Sequence, residues 1–150
     1  QDGNIQVESL KGLCNLTTAN GDINTDYLRG TLVLDAANGN IIGENIFGPI
    51  QAYTSSGDID FKISYDSGSS DYSISLETVS GNIDVSVPKN LPVTIEAEVE
   101  GGKTAGVISS DIPIALEDTE SKIFAKGQVN EGTIPLNLFT GRGHITIREN

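Results

Sequence analysis

Few residues in this chain are able to do chemistry. There is one cysteine, Cys14, and one histidine, His144. One histidine leaves no room for a multi-histidine metal site, and any Ser-His-Asp triad would have to be built on that ring. One cysteine excludes an intrachain disulfide. Cys14 follows Gly12 by two residues, the slot that Leu32 and Ile50 take after Gly30 and Gly48. It therefore reads as a small apolar core residue. A reactive thiol would want an electropositive, partly exposed setting that nothing near Cys14 provides. His144 follows Gly143 in an outward polar slot and reads as a solvated surface histidine.

The remaining candidates are acidic or aromatic. Asp and Glu number 21 against nine Lys and Arg, a formal charge of −12. A nucleic-acid backbone or an anionic membrane would be repelled by such a surface. Asp22, Asp58 and Asp60 are candidates for a cation or sugar-hydroxyl site. Asp22 and Asp58 would stand two strand spacings apart, about 9–10 Å, too far to share one ion. Glu96, Glu98 and Glu100 form an outward acidic run, expected to be solvated and to blunt pairing at a sheet edge. Tyr53, Tyr65, Tyr72 and Phe139 are the surface aromatics available for stacking on sugars. Grouped over one acidic cleft they would favour a lectin or an enzyme; dispersed, a structural role.

These side chains are positioned by a repeat. Glycine occupies positions 3, 12, 21, 30, 39, 48 and 57, each nine residues after the last. Given the glycine content, six successive hits at that spacing have a chance of about two in a million. The full unit takes two such steps and is made of two unlike halves. One half reads Asn20-Gly21-Asp22-Ile23, Asn38-Gly39-Asn40-Ile41 and Ser56-Gly57-Asp58-Ile59, recurring as Ser80-Gly81-Asn82-Ile83 and Gly141-Arg142-Gly143-His144-Ile145. Two residues after each glycine stand Ile5, Cys14, Ile23, Leu32, Ile41, Ile50 and Ile59; the intervening positions are mostly polar. This period-2 alternation over about five residues marks short, half-buried strands.

An 18-residue coil would stack equivalent residues one strand spacing apart, Ile over Ile, with backbone groups bonded to the coils above and below. The outward column Asn4, Asp22, Asn40, Asp58 and Asn82 would then hydrogen-bond along the rod. A column of Thr18, Ala36, Thr54, Thr78 and Thr140 would serve the corners. A hexapeptide helix fails, because stepping by six from Ile5 meets Lys11, Thr17 and Arg29. A calcium-binding nonapeptide roll fails because each unit carries a single glycine.

The beat breaks twice. Gly57 and Gly81 stand further apart than one 18-residue unit, the excess falling in Tyr65–Tyr72, a loop by composition. From 86 to 135 the glycines lose their spacing while alternation survives, as in Val93, Ile95, Ala97 and Val99. This half is expected to form wider, less regular coils, giving about seven layers and a rod on the order of 35 Å long. No apolar run approaches the length of a membrane-spanning helix. The chain begins at Gln1 without a signal peptide, which reads as a processed or trimmed piece starting inside a repeat.

At these (N/S)-G-(D/N)-I motifs the chain resembles a bacterial domain-of-unknown-function family called "putative adhesin", a family of β-solenoids. Val85-Ser86-Val87-Pro88 matches the family's strand ending in proline, and Gly143-His144-Ile145-Thr146-Ile147 its closing glycine motif. His144 departs from the usual Asn or Asp, which bears on capping. The resemblance implies an envelope-associated or exported bacterial protein and supplies no catalytic or ligand residue.

The expected fold is all-β: a single parallel β-solenoid domain over 1–150, regular over 1–85 and irregular over 86–150. The expected function is a non-enzymatic, exported structural or adhesion-type module, periplasmic, cell-surface or extracellular. Its partner would be a cell-surface protein or glycan, without nucleic acid or membrane insertion. No catalytic, cofactor-binding or metal residues are assigned, and no cofactor is expected. Two alternatives stand beside this reading: a carbohydrate-binding or carbohydrate-active β-helix protein, and a polymer-forming envelope solenoid whose uncapped ends stack.

Overall fold

The computed structural model describes residues 2–66 and 72–150. Apart from one short 3-10 turn, Gly102–Thr104, its regular structure is entirely β. In chain order the strands are β1 (Ile5–Lys11), β2 (Cys14–Asn20), β3 (Ile23–Arg29), β4 (Leu32–Asn38), β5 (Ile41–Phe47), β6 (Ile50–Ser56), β7 (Ile59–Ile63), β8 (Ile74–Ser80), β9 (Ile83–Val87), β10 (Val93–Glu100), β11 (Ile108–Ser110), β12 (Ala115–Asp118), β13 (Lys122–Gln128), β14 (Ile134–Arg142) and β15 (Ile145–Glu149). Among the described residues, no helix is long and apolar enough to cross a membrane.

The strands form two sheets. One has seven strands in the order β1-β3-β5-β7-β9-β15-β11, the other eight in the order β12-β13-β10-β14-β8-β6-β4-β2. Through β9 the chain alternates between the sheets, and every neighbour pair is parallel. The register is the 18-residue repeat itself: Ile5 faces Ile23, which faces Ile41, which faces Ile59. The column continues to Ile83, Ile145 and Ile108. The opposite wall stacks Cys14, Leu32, Ile50, Ile74, Leu136 and Ile95. These inward columns make the core between the sheets.

The glycine beat has a physical cause visible at Gly39. Its φ is +149°, and a Cβ there would run into the carbonyl oxygen of Gly21 in the coil beneath. Only glycine tolerates both the backbone and the approach. At Gly3, in the first coil, a Cβ would meet nothing within 4 Å, and only the φ of +131° remains as a constraint.

The strands of the repeats are longer than the alternation suggests. In β1, β3 and β5 they run for seven residues, with Ser9, Tyr27 and Asn45 in left-handed conformation at φ of 52–56°. Each bend shifts the inward face by one residue, so that Leu28 and Ile46 are buried beyond Thr25 and Gly43. Strict period-2 reading stops at the bend, which is why the sequence shows only a short alternating stretch. In β7 the bend is absent, and the register against β5 shifts between Gly43 and Ile46.

The second half does not form wider coils wound in sequence. After β9 the chain crosses to β10, which sits one layer too far along the eight-stranded sheet, and then to β11, displaced likewise in the other sheet. β12 and β13 turn back as an antiparallel hairpin, with β13 also antiparallel to β10. β14 then enters the vacant layer between β8 and β10, parallel to both, and β15 enters between β9 and β11. The long stretch between Gly81 and Gly143 thus corresponds to a single layer step, because a Cβ on Gly143 would strike the Gly81 carbonyl. The layer count, seven in one sheet and eight in the other, is close to the seven expected. Of the expected loop over Tyr65–Tyr72, residues 67–71 lie outside the described residues; Tyr65, Asp66 and Tyr72 are not in strands.

Candidate functional site

The outward polar column is a ladder, with side chains bonding to backbone rather than to one another. The Asn4 side-chain oxygen accepts from the Asp22 backbone N–H at 2.9 Å, Asp22 from Asn40 at 2.8 Å, and Asn40 from Asp58 at 2.9 Å. Asp58 accepts from Asn82 at 2.8 Å, and Asn82 from His144 at 2.8 Å. The ladder ends on the imidazole: His144 Nδ1 accepts the Val107 N–H at 3.1 Å. His144 is therefore exposed, as expected, but it also takes over the bonding of the Asn or Asp it replaces. Asp22 and Asp58 are occupied as acceptors along this ladder, with Asn40 between them. The threonine column serves the corners: Thr18, Thr54, Thr78 and Thr140 donate their hydroxyls to the carbonyls of Gly3, Gly39, Gly57 and Gly81 at 2.8–3.1 Å.

Cys14 is buried, and burial pushes its thiol pKa up, away from thiolate reactivity. Asp60 lies on the outward face of the seven-stranded sheet opposite Asp84. Its carboxyl is raised above the usual range, first by burial and then by the Asp84 charge. Asp84 is engaged by Arg148 at 3.1 Å. Among the described residues, no three His, Cys, Asp or Glu side chains are grouped so as to hold a metal ion.

The eight-stranded sheet carries the arrangement richest in binding chemistry. Its ladder places Asp35, Tyr53, Glu77, Phe139, Glu98, Phe124 and Glu117 in one outward row across β4, β6, β8, β14, β10, β13 and β12. Ring and carboxylate alternate strand by strand. The neighbouring outward row is polar, running from Gln51 through Ser75 and Asn137 to Glu96 and Lys126. Between β8 and β13 the two rows line a shallow groove of about 320 Å³, floored by Ser75, Asn137, Phe139 and Phe124 with Glu77, Glu96 and Glu98 beside them.

Glu98 is bonded to Lys122 at 2.9 Å, and Glu96 lies 3.9 Å from Lys126, whose ammonium stands 5.2 Å from the Phe124 ring. The run Glu96–Glu100 thus faces outward as expected but does not guard an edge. β10 is an interior strand, and its Glu96 and Glu98 pair across to β13.

Of the four aromatics singled out from sequence, Tyr53 and Phe139 join this row. Tyr65 and Tyr72 form a separate pair with centroids 5.4 Å apart, and Tyr72 is buried. Phe124 escaped the sequence reading because it lies where the glycine beat is lost. Its signal was the local alternation Ile123-Phe124-Ala125, which puts the ring outside between two inward residues. The face thus brings together three rings and a string of carboxylates, groups able to stack and to accept hydrogen bonds.

A comparison with curated proteins finds no match. Among solved structures, the chain is similar to a protein of Clostridium sporogenes described as a "putative cell adhesion protein". The TM-score is 0.52 and the identity 14%, covering 99% of this chain and 91% of that one, a likeness in fold. The Toastrack DUF4097 family model matches residues 1–148, nearly the whole length. With its stacked parallel strands and that match, the chain belongs to the Toastrack DUF4097 family.

Proposed function

We propose that this protein is a non-enzymatic, exported adhesion-type module that binds through the outward face of its eight-stranded sheet. The two sheets are read as the two walls of one β-solenoid domain spanning 1–150, acting in the periplasm, at the cell surface or outside the cell. The observation that carries the reading is the unbroken row of rings and carboxylates from Asp35 to Glu117. Rigid strands hold these side chains in register, as a flat binding surface requires. The similarity in fold to a protein described as a cell adhesion protein is consistent with it.

A carbohydrate-active enzyme is the weaker reading. Of the carboxylates lining the groove, Glu98 and Glu96 face Lys122 and Lys126 at 2.9 and 3.9 Å, which leaves Glu77 alone where glycoside hydrolysis uses a pair. The net charge of −12 disfavours nucleic acid and anionic membranes as partners.

Adhesion of protein-coated beads to bacterial envelope fragments and to intact cells tests the reading. Asn137→Arg on the proposed face should abolish retention, while Asn24→Arg on the other sheet should leave it unchanged. Equal retention by both variants, or none by the parent protein, would remove this reading.

A further inference from the structure

The row on the eight-stranded sheet has a period of its own. Rings stand on β6, β14 and β13, which are alternate members of the sheet: Tyr53, Phe139 and Phe124. The carboxylates Glu77, Glu98 and Glu117 stand on β8, β10 and β12, the strands between and beyond. Like groups therefore recur every two strands, about 9.6 Å along the rod axis. An extended β-1,4-linked sugar chain is a flat ribbon in which successive rings are turned over. The same face and the same edge return once per disaccharide, a length close to that recurrence. Its C–H faces stack on aromatic rings, and its hydroxyls take hydrogen bonds of the kind offered by Gln51, Ser75 and Asn137 in the flanking row.

Charge selects among such polymers. The face is acidic, and Asp35, Glu77 and Glu117 have neither a hydrogen-bond nor an ion-pair partner among the described residues. A polyuronate would be repelled. A chain bearing an ammonium on one edge of every second sugar would meet the unpaired carboxylates of Glu77 and Glu117, with Glu98, held by Lys122 at 2.9 Å, at the recurrence between them. From this geometry we infer that the row from Tyr53 to Glu117 is a docking face for an extended β-1,4-linked glucosamine polymer, lying parallel to the stack of strands. The inference rests on the adhesive reading of this face and names its ligand.

The test is titration of the whole chain with β-1,4-linked glucosamine di-, tetra- and hexamers, followed by calorimetry and by NMR shifts. Mildly acidic pH keeps the sugar amines protonated. Affinity should rise steeply from dimer to hexamer, because three rings at disaccharide spacing need at least five sugars. It should weaken with added salt, and it should exceed that of the neutral glucose hexamer; a glucuronate hexamer should not bind.

Phe139→Leu, which keeps apolar bulk and should leave the melting temperature nearly unchanged, should weaken hexamer binding by about tenfold. Glu77→Gln should weaken the glucosamine hexamer and leave the weaker binding of the glucose hexamer unchanged. The inference is overturned if the glucosamine hexamer does not bind, if it binds no better than the dimer or the glucose hexamer, or if folded Phe139→Leu binds it undiminished. Should the glucosamine arm fail while beads still lose adhesion through Asn137→Arg, the face remains adhesive and only the ligand class falls.

Discussion

The two halves of the molecule reach the same stacked cross-section by different routes. Residues 5–87 add layers in chain order, each strand pairing with the strand one coil earlier. Residues 93–149 overshoot a layer, fold a hairpin, and return to fill the gap with β14 and β15. The first half is held by repetition: each coil presents to the next the same isoleucine, glycine and Asx groups. The second half is held by closure. β14 joins β8 to β10, and β15 joins β9 to β11, so the two halves meet across strands that arrive last in the chain. A repeat array is stabilised by nearest-neighbour interfaces and tolerates change at its free end. A layer inserted between two others has no free end, and its loss exposes strand edges on both sides.

The most severe way to test this contrast is to end the chain at Gly132, removing β14 and β15. The edges of β8, β9, β10 and β11 would lose their partners together, and the cooperative thermal transition seen by circular dichroism should be lost. A truncated chain that still melts in one transition near the parent temperature would show that the halves do not depend on that layer.

Next in size are changes inside the repeating half. Ile41→Asp buries an unpaired charge between Ile23 and Ile59 and should cost more than about 4 kcal/mol. Outward Asn24→Asp should stay within about 0.5 kcal/mol. Thermal melts in the reverse order would invert the inside and outside faces.

Gly39→Ala should cost about 3 kcal/mol or more, since it adds a collision with the Gly21 carbonyl to an unfavourable φ. Gly3→Ala, in the first coil with open space at its Cβ, should cost only about 1 kcal/mol. Equal costs in denaturant titrations would mean that backbone strain, not stacking, sets the glycine beat.

Smaller again is the junction at His144. His144→Leu removes the acceptor for the Val107 N–H and should cost about 1 kcal/mol, whereas His144→Asn restores the group used in the earlier coils and should be close to neutral. Thermal melts of the three proteins check this: equal losses for His144→Leu and His144→Asn would show that the acceptor at this position contributes nothing.

The smallest expected effect is at Asp60. Its carboxyl lies above the ordinary range, so the folded chain holds this proton more tightly than the unfolded chain. The ionised group costs stability at neutral pH, and the cost disappears as pH falls through the carboxylate range. Asp60→Asn should raise the melting temperature slightly at pH 7, with the gain shrinking on acidification; a gain that grows in acid would contradict the assignment.

Much of the repeating half was legible in the residues. Glycine spacing, the isoleucine at the second position after it, and the Asx column all act between neighbouring coils, so the same physical demand is written again in each 18-residue unit. The threonine hooks were legible for the same reason. The left-handed bends at Ser9, Tyr27 and Asn45 were not, because three different side chains occupy them and only asparagine among these favours that backbone conformation. Phe124 was hidden because the only clue to its face was a short local alternation within a region lacking the beat.

What the amino-acid order determined by itself is therefore the local rule: short strands, an 18-residue turn, a buried isoleucine and cysteine side, and an outward Asx side. Only the tertiary structure decided which layer each late strand occupies, and thereby that Tyr53, Glu77, Phe139, Glu98 and Phe124 share one row. Alternation states which way a side chain points from its own strand. It carries no information about which strand lies next door, and the insertion of β14 between β8 and β10 is settled by long-range pairing alone.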